Sequence, residues 1–181
     1  MKYVSLDLET TCLEPDPHNI LMVSMVVEDT NDNKPLEELP HLTFFVKNGT
    51  LITGSSFALN MNSWILKILA ENKGPYPIYG KYTWPGAVLQ FLNIHFGSSK
   101  VVAVGKNVAG FDLQFLPIGV KDRFHHRVID PGSMFIDWNV DEVPPDMNIC
   151  KCRAGIAGEV THNAYEDALD VIKLLRTKYV K

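Results

Sequence analysis

The chain has 181 residues and a formal net charge of −4, from 17 basic and 21 acidic side chains. With 46% hydrophobic and 21% charged residues it is not a solvated disordered chain, and no apolar run approaches the roughly 18 residues that span a bilayer. The acidic balance argues against a general duplex-coating protein, because such proteins gain affinity by neutralising phosphates with a basic surface. A nucleic acid would have to be held locally, with metal ions carrying much of the charge compensation. The length fits one domain over residues 1–181. The start, Met1 to Glu9, turns acidic at Asp7 and lacks the apolar stretch of a signal peptide, so a cytoplasmic location with no membrane attachment is expected. Three cysteines in such a chain are expected to be reduced.

Taken in order, Tyr3 to Glu9 reads as a strand and Ile20 to Val27 as a second, almost continuously apolar one. Leu42 to Val46 is a third, ending in a tight turn at Lys47-Asn48-Gly49-Thr50. Apolar residues at helical spacing (Trp64, Ile65, Ile68, Leu69) predict one helix from Phe57 to Asn72, with Trp64 in the core. A turn-rich stretch, Pro75 to Tyr82, precedes a helix from Pro85 to Phe96, with Gly97 just past its end. Val101 to Val104 is a short buried strand, and Gly110 to Leu116 a helix cut short by Pro117 and Gly119. Arg127 to Asp130 reads as a brief fifth strand, and Phe135 to Gly158 as loop with one short helix at most. The last helix, Asn163 to Tyr179, carries Ala164, Ala168, Val171, Ile172 and Leu175 on one stripe. This order predicts an α/β domain with a mixed five-stranded sheet flanked by helices.

Acidic residues mark three places. On a strand of period two, Asp7 and Glu9 in Ser5-Leu6-Asp7-Leu8-Glu9-Thr10-Thr11 project from one face, with Leu6 and Leu8 on the other. Two carboxylates so placed repel one another, and a hard cation with a preference for oxygen relieves that repulsion. Asp112 closes Gly105-Lys106-Asn107-Val108-Ala109-Gly110-Phe111-Asp112, between a strand and a helix start. Alone it reads as a first-turn carboxylate facing the helix dipole. His162 and Asp167 lie in Thr161-His162-Asn163-Ala164-Tyr165-Glu166-Asp167, the entry to the last helix, also a favoured place for acidic residues.

In this order the three clusters resemble the DEDDh family of 3′–5′ exonucleases, which includes DnaQ-type proofreading enzymes and oligoribonuclease. Asp7 and Glu9 match its Asp-x-Glu motif, Asp112 its middle aspartate, and His162, Ala164 and Asp167 its His-x-Ala-x-x-Asp motif. The opening Asp7 to Pro15 (DLETTCLEP) and the Asn107–Asp112 spacing are nearer to oligoribonuclease. The resemblance implies a ribonuclease H-like fold and removal of nucleoside 5′-monophosphates from the 3′ end of single-stranded DNA, RNA or short oligonucleotides. It also implies two Mg²⁺ or Mn²⁺ ions held by Asp7, Glu9, Asp112 and Asp167, with His162 as general base. Asp7 would touch both ions, Glu9 and Asp167 the ion carrying the attacking water, and Asp112 the other. Thr10, Thr11, Leu13 and Asn107 would line the substrate, Leu13 against the last base. Proofreading would require a polymerase or replication partner. Cys12 stands where glycine is usual, and Met22 where an acidic or amide residue is common. Two rival functions keep the fold: a silent module that binds nucleic-acid ends, and a phosphohydrolase acting on free nucleotides.

Other signals are weaker. Met61 and Trp64 are candidates to stack on a base, although helical spacing favours a core position for Trp64. Cys150-x-Cys152 lacks the partner spacing of a zinc site. His125-His126 reads as a solvated pair, and Lys106, Lys151 and Arg153 as solvated surface charges that could touch phosphates.

Overall fold

Nine residues, Lys2–Thr10, form strand β1, and their alternation sets the layering of the molecule. The computed structural model describes residues 1–49 and 51–180. Strands β2 (Ile20–Asp29) and β3 (His41–Lys47) follow, then helices α1 (Ser56–Met61) and α2 (Ser63–Glu71), strand β4 (Ile78–Gly80) and helix α3 (Trp84–Phe96). Next come strand β5 (Ala103–Val104), short helices α4 (Asp112–Phe115), α5 (Ile118–Lys121) and α6 (Pro131–Met134), and helices α7 (Met147–Ala154) and α8 (Ala164–Tyr179).

The sheet runs β4-β3-β2-β1-β5. β1, β2 and β3 are antiparallel neighbours, while β5 is parallel to β1 and β4 parallel to β3. The mixed five-stranded sheet is therefore as expected, but its membership differs. The fifth strand is Ile78–Gly80, inside the stretch read as turns, where three residues pair beside Phe45 to Lys47. Arg127 to Asp130 contributes only one bridge, Ile129 to Val104. Both segments are too short for a period-two pattern to show.

One face of β1 presents Val4, Leu6 and Leu8 to a core shared with Trp84, Val88, Phe91 and Leu92 of α3 and with Leu113 and Phe115 of α4. The other face packs Tyr3 against Ala168, Val171, Ile172 and Leu175, the stripe expected of α8. Ser5 Oγ donates to Ala168 O at 2.8 Å and locks the register of α8 on the sheet. Each fully buried Leu or Ile in these layers contributes ~1.5–3 kcal/mol, enough together to hold repelling groups at the sheet end.

The expected helix Phe57 to Asn72 is two helices meeting at Asn62, which is fully buried. Trp64 lies half-buried against Phe45, with its ring centroid 5.9 Å away. Gly54 has a steric requirement: a Cβ there would lie 2.2 Å from Thr11 O, so only glycine lets the α1 entry approach the end of β1. The turn expected at Lys47 to Thr50 reaches Thr50, outside the described residues. No helix among the described residues is long and apolar enough to cross a membrane.

Candidate active site

The site forms where β1 ends. Asp7 and Glu9 share the face of Tyr3 and Ser5, so they look toward α8 rather than the α3 side. The β1–β2 register slips between Glu9 and Thr10, a bulge that turns the chain out of the sheet beside the two carboxylates. Asn163 caps α8, its Oδ1 accepting from Tyr165 N at 3.1 Å, and so starts the helix just after His162. Asp167 then falls in the first turn, where the helix dipole favours a carboxylate. Glu9, His162 and Asp167 each offer a ligand atom, and these atoms lie within 4.8 Å of one another.

Asp112 approaches from the opposite side of β1. It is 3% exposed, and its Oδ1 accepts from the backbone amide of Leu8 at 3.0 Å. The backbone between Asp7 and Glu9 is thus bonded directly to the third acidic residue.

The proton affinities of these groups show the strain of gathering them. Burial pushes the Glu9 carboxyl up to about 7, the negative charge of Asp167 adds to this, and a hydrogen bond from Asn62 opposes it. Asp7 is raised well above the usual carboxylate range by burial, then by Asp112, Glu9 and Asp167. Asp112 is raised by burial and by Glu9, against two backbone hydrogen bonds. Asp167 is raised by burial, opposed first by Thr161 and then by His162. Four carboxylates held together at such cost are a donor set suited to hard divalent cations, which take oxygen ligands and supply positive charge.

A cavity of about 580 Å³ opens over this cluster. Asp7, Glu9, His162 and Asp167 line it, together with Thr10 and Leu13. Thr11 and Asn107, also expected at the substrate, do not line it. Thr11 is 2% exposed and turned inward, its Oγ1 on Asn19 Oδ1 at 3.3 Å and its carbonyl accepting from Ser55 N at 2.9 Å. Asn107 sits in a left-handed turn (φ 52°), its amide donating to Asp130 Oδ2 at 2.8 Å and its carbonyl accepting from Phe111 N at 2.9 Å. It shapes the loop that delivers Asp112.

The rest of the wall is not apparent from sequence. Phe57, Ala58 and Met61 on α1, Phe111 before α4, Met147 on α7 and Val160 make much of it apolar. Of these only Met61 is a base-stacking candidate by its sequence context. Phe57 carries a usable signal, an aromatic residue on the solvent side of a first helical turn. Among the described residues, Lys106 is the one lysine or arginine on this wall, with its Nζ 3.7 Å from Asp130 Oδ1. Lys151 and Arg153 are not free surface charges. Lys151 is 3% exposed and paired with Asp170, and Arg153 pairs with Asp141.

No family model matches the sequence, and no curated protein matches it either. Solved structures do match in fold. Escherichia coli exonuclease I in complex with a dT13 oligonucleotide aligns over 98% of this chain at 14% identity and a TM-score of 0.68. Cell-death related nuclease 4 aligns over 97% at 13% identity and 0.65. The nuclease domain of 3′hExo, a DEDDh family member bound to rAMP, aligns over 96% at 13% identity and 0.62. The chain spans 41% of exonuclease I, 62% of cell-death related nuclease 4 and 89% of the 3′hExo domain. The chain therefore has the ribonuclease H-like α/β fold of known exonucleases, a mixed five-stranded sheet flanked by helices.

Proposed function

We propose that this chain is a divalent-metal-dependent 3′–5′ exonuclease of the DEDDh type, acting on single-stranded DNA, RNA or short oligonucleotides. One observation carries the reading: Glu9, His162 and Asp167 converge within 4.8 Å on a cavity wall that also holds Asp7, with Asp112 bonded behind it. The oligonucleotide bound to exonuclease I and the rAMP bound to 3′hExo support a strand end as substrate and a nucleoside monophosphate as product.

Asp7, Glu9, Asp112 and Asp167 would hold two Mg²⁺ or Mn²⁺ ions, which when bound supply charge compensation for the phosphate and a water acidic enough to attack it. His162, exposed on the cavity wall, would take the proton of an attacking water at a ring nitrogen. The water oxygen would bond to phosphorus as the P–O3′ bond breaks, the departing 3′-oxygen of the shortened strand taking a proton from solvent and His162 returning its own to solvent. Leu13 and Phe57 on the cavity wall would give the terminal base an apolar surface, and Lys106 on the same wall would supply a counter-charge for a backbone phosphate. Residues 1–181 are read as one such domain working in the cytoplasm, with a polymerase or replication partner if its role is proofreading.

The test is degradation of 5′-labelled single-stranded DNA and RNA with Mg²⁺, Mn²⁺ or EDTA, beside Asp7→Ala. A metal-dependent ladder shortening from the 3′ end and lost in the variant is expected. Intact strands from folded protein with either metal overturn the reading. Retained end-binding without cleavage would then mark a silent module, and hydrolysis of nucleoside triphosphates alone a phosphohydrolase.

A further inference from the structure

His162 sits in a segment with no helix or strand of its own, between Gly155, which closes α7, and Asn163, which caps α8. His162 adopts φ 52°, a left-handed conformation that costs a residue with a Cβ some backbone energy and that its surroundings help to hold. The exposed backbone groups of such a segment would ordinarily exchange their partners for water.

Two side chains of α7 prevent this. Asn148 Oδ1 accepts from the amide of Val160 at 2.9 Å, two residues before His162. Lys151 Nζ donates to Glu159 O at 3.1 Å. Lys151 is an unusual choice for a backbone tie, since burying an ammonium is costly unless it is paired. Its partner is Asp170, 6% exposed on α8, whose other oxygen takes Lys173 at 2.6 Å. Asp170 lies one turn beyond Asp167 on the same helix face. A single ammonium thus joins the helix before the loop, the loop itself and the helix carrying Asp167. Thr161 completes the seam, its amide donating to Asp167 Oδ1 at 3.3 Å.

We propose that Asn148 and Lys151 are positioning residues for His162: helix α7 fixes the loop so that the imidazole stays beside Glu9 and Asp167. The inference rests on the exonuclease reading above and adds two residues that do not line the cavity. It also accounts for α7 itself, a helix whose buried side chains are few, Cys150 and Lys151.

The test uses the full chain with Asn148→Ala, Asn148→Asp and Lys151→Met. Asn148 is exposed, so its variants fold even if Lys151→Met does not. Hydrogen exchange of the amides from 158 to 162 is expected to quicken in Asn148→Ala, while the core amides of α8 keep their rates. On oligonucleotide, kcat is expected to fall roughly 10- to 100-fold, the scale of a misplaced catalytic group, with KM nearly constant. Asn148→Asp keeps an acceptor for Val160 and is expected to restore both readouts. In a His162→Ala background neither Asn148→Ala nor Lys151→Met is expected to lower kcat further, because the group they position is gone. Unchanged exchange in Asn148→Ala, or a penalty that adds in full to that of His162→Ala, overturns the proposal. If the wild-type protein degrades no strand, quickened exchange still upholds the clamp, and the failure belongs to the exonuclease reading.

Discussion

The amide of Leu8 donates to Oδ1 of Asp112 at 3.0 Å, so β1 and the start of α4 meet through a bond made by the backbone that separates Asp7 from Glu9. Asp112 therefore has two duties, as a strut between layers and as a carboxylate in the acidic cluster.

Those duties separate by substitution. Asp112→Asn keeps a carbonyl to accept from Leu8 and removes one repelling charge, so its metal-free thermal stability at pH 8 is expected to equal or exceed wild type. Asp112→Ala orphans a buried amide and is expected to lose about 1–3 kcal/mol. On the proposed exonuclease reading both are expected to lose activity roughly 10²-fold or more, the scale of an electrostatic group at a reaction centre. Equal melting temperatures for the two variants would remove the strut from the account.

The metal-free protein is expected to lose stability as pH rises. The folded protein holds protons on Glu9 up to about 7, against an ordinary value of 4.5, and Asp7, Asp112 and Asp167 are raised as well. Between those values the folded state binds more protons than the unfolded chain. The stabilising contribution is complete below the ordinary carboxylate range and disappears as pH passes the raised folded values. For Glu9 alone the shift corresponds to about 3 kcal/mol. In EDTA the melting temperature is expected to drop by roughly 6–12 °C from pH 5 to pH 8, and millimolar Mg²⁺ or Mn²⁺ to recover most of it. A profile in EDTA that is flat or rising over this range contradicts the electrostatic account.

Asn62 ties the two-helix segment to the site. It is fully buried at the α1–α2 joint, and its Nδ2 donates to Thr10 O at 3.1 Å, while its Oδ1 has no partner among the described residues. Asn62→Ala is expected to cost about 1–3 kcal/mol by orphaning the Thr10 carbonyl. Asn62→Asp is expected to melt lower still at pH 8 than at pH 5, because a further carboxylate then joins Asp167 against Glu9. Thermal denaturation at both pH values decides it: a wild-type melting curve for Asn62→Ala would make the joint incidental.

Leu13 and Phe57 are 81% and 76% exposed on the cavity wall, which leaves them little part in folding. Alanine at either position is expected to leave stability within about 0.5 kcal/mol of wild type. On the proposed reading, loss of a base contact worth ~1–3 kcal/mol is expected to raise KM for a single strand roughly 5- to 150-fold. Steady-state kinetics on a short oligonucleotide measures this, and an unchanged KM in the double variant would move the substrate off this wall.

Several of these groups are legible in the amino-acid order alone. Asp7 and Glu9 share a face because strand periodicity is two, and His162 and Asp167 flank a helix start that Asn163 announces by its capping chemistry. The stripe of α8 and the apolar runs of β1 and β2 are equally plain, since each is written in consecutive residues. Asn62 is hidden because helix propensity on its two sides is continuous, and the break answers to Thr10, fifty-two residues earlier. β4 is hidden because three residues between prolines and glycines show no period, and only the edge of β3 makes them a strand.

What the sequence by itself determined is the set of local periods and caps, and the chemical type of each acidic or basic group. Only the tertiary structure decided which of those groups face one another: that Asp112 bonds to Leu8, that Thr11 and Asn107 turn from the cavity, and that Lys151 is buried on Asp170. The reason is physical. A period depends on neighbours along the chain, whereas a buried charge or an orphaned amide is settled by residues brought from elsewhere in the sequence when the layers close.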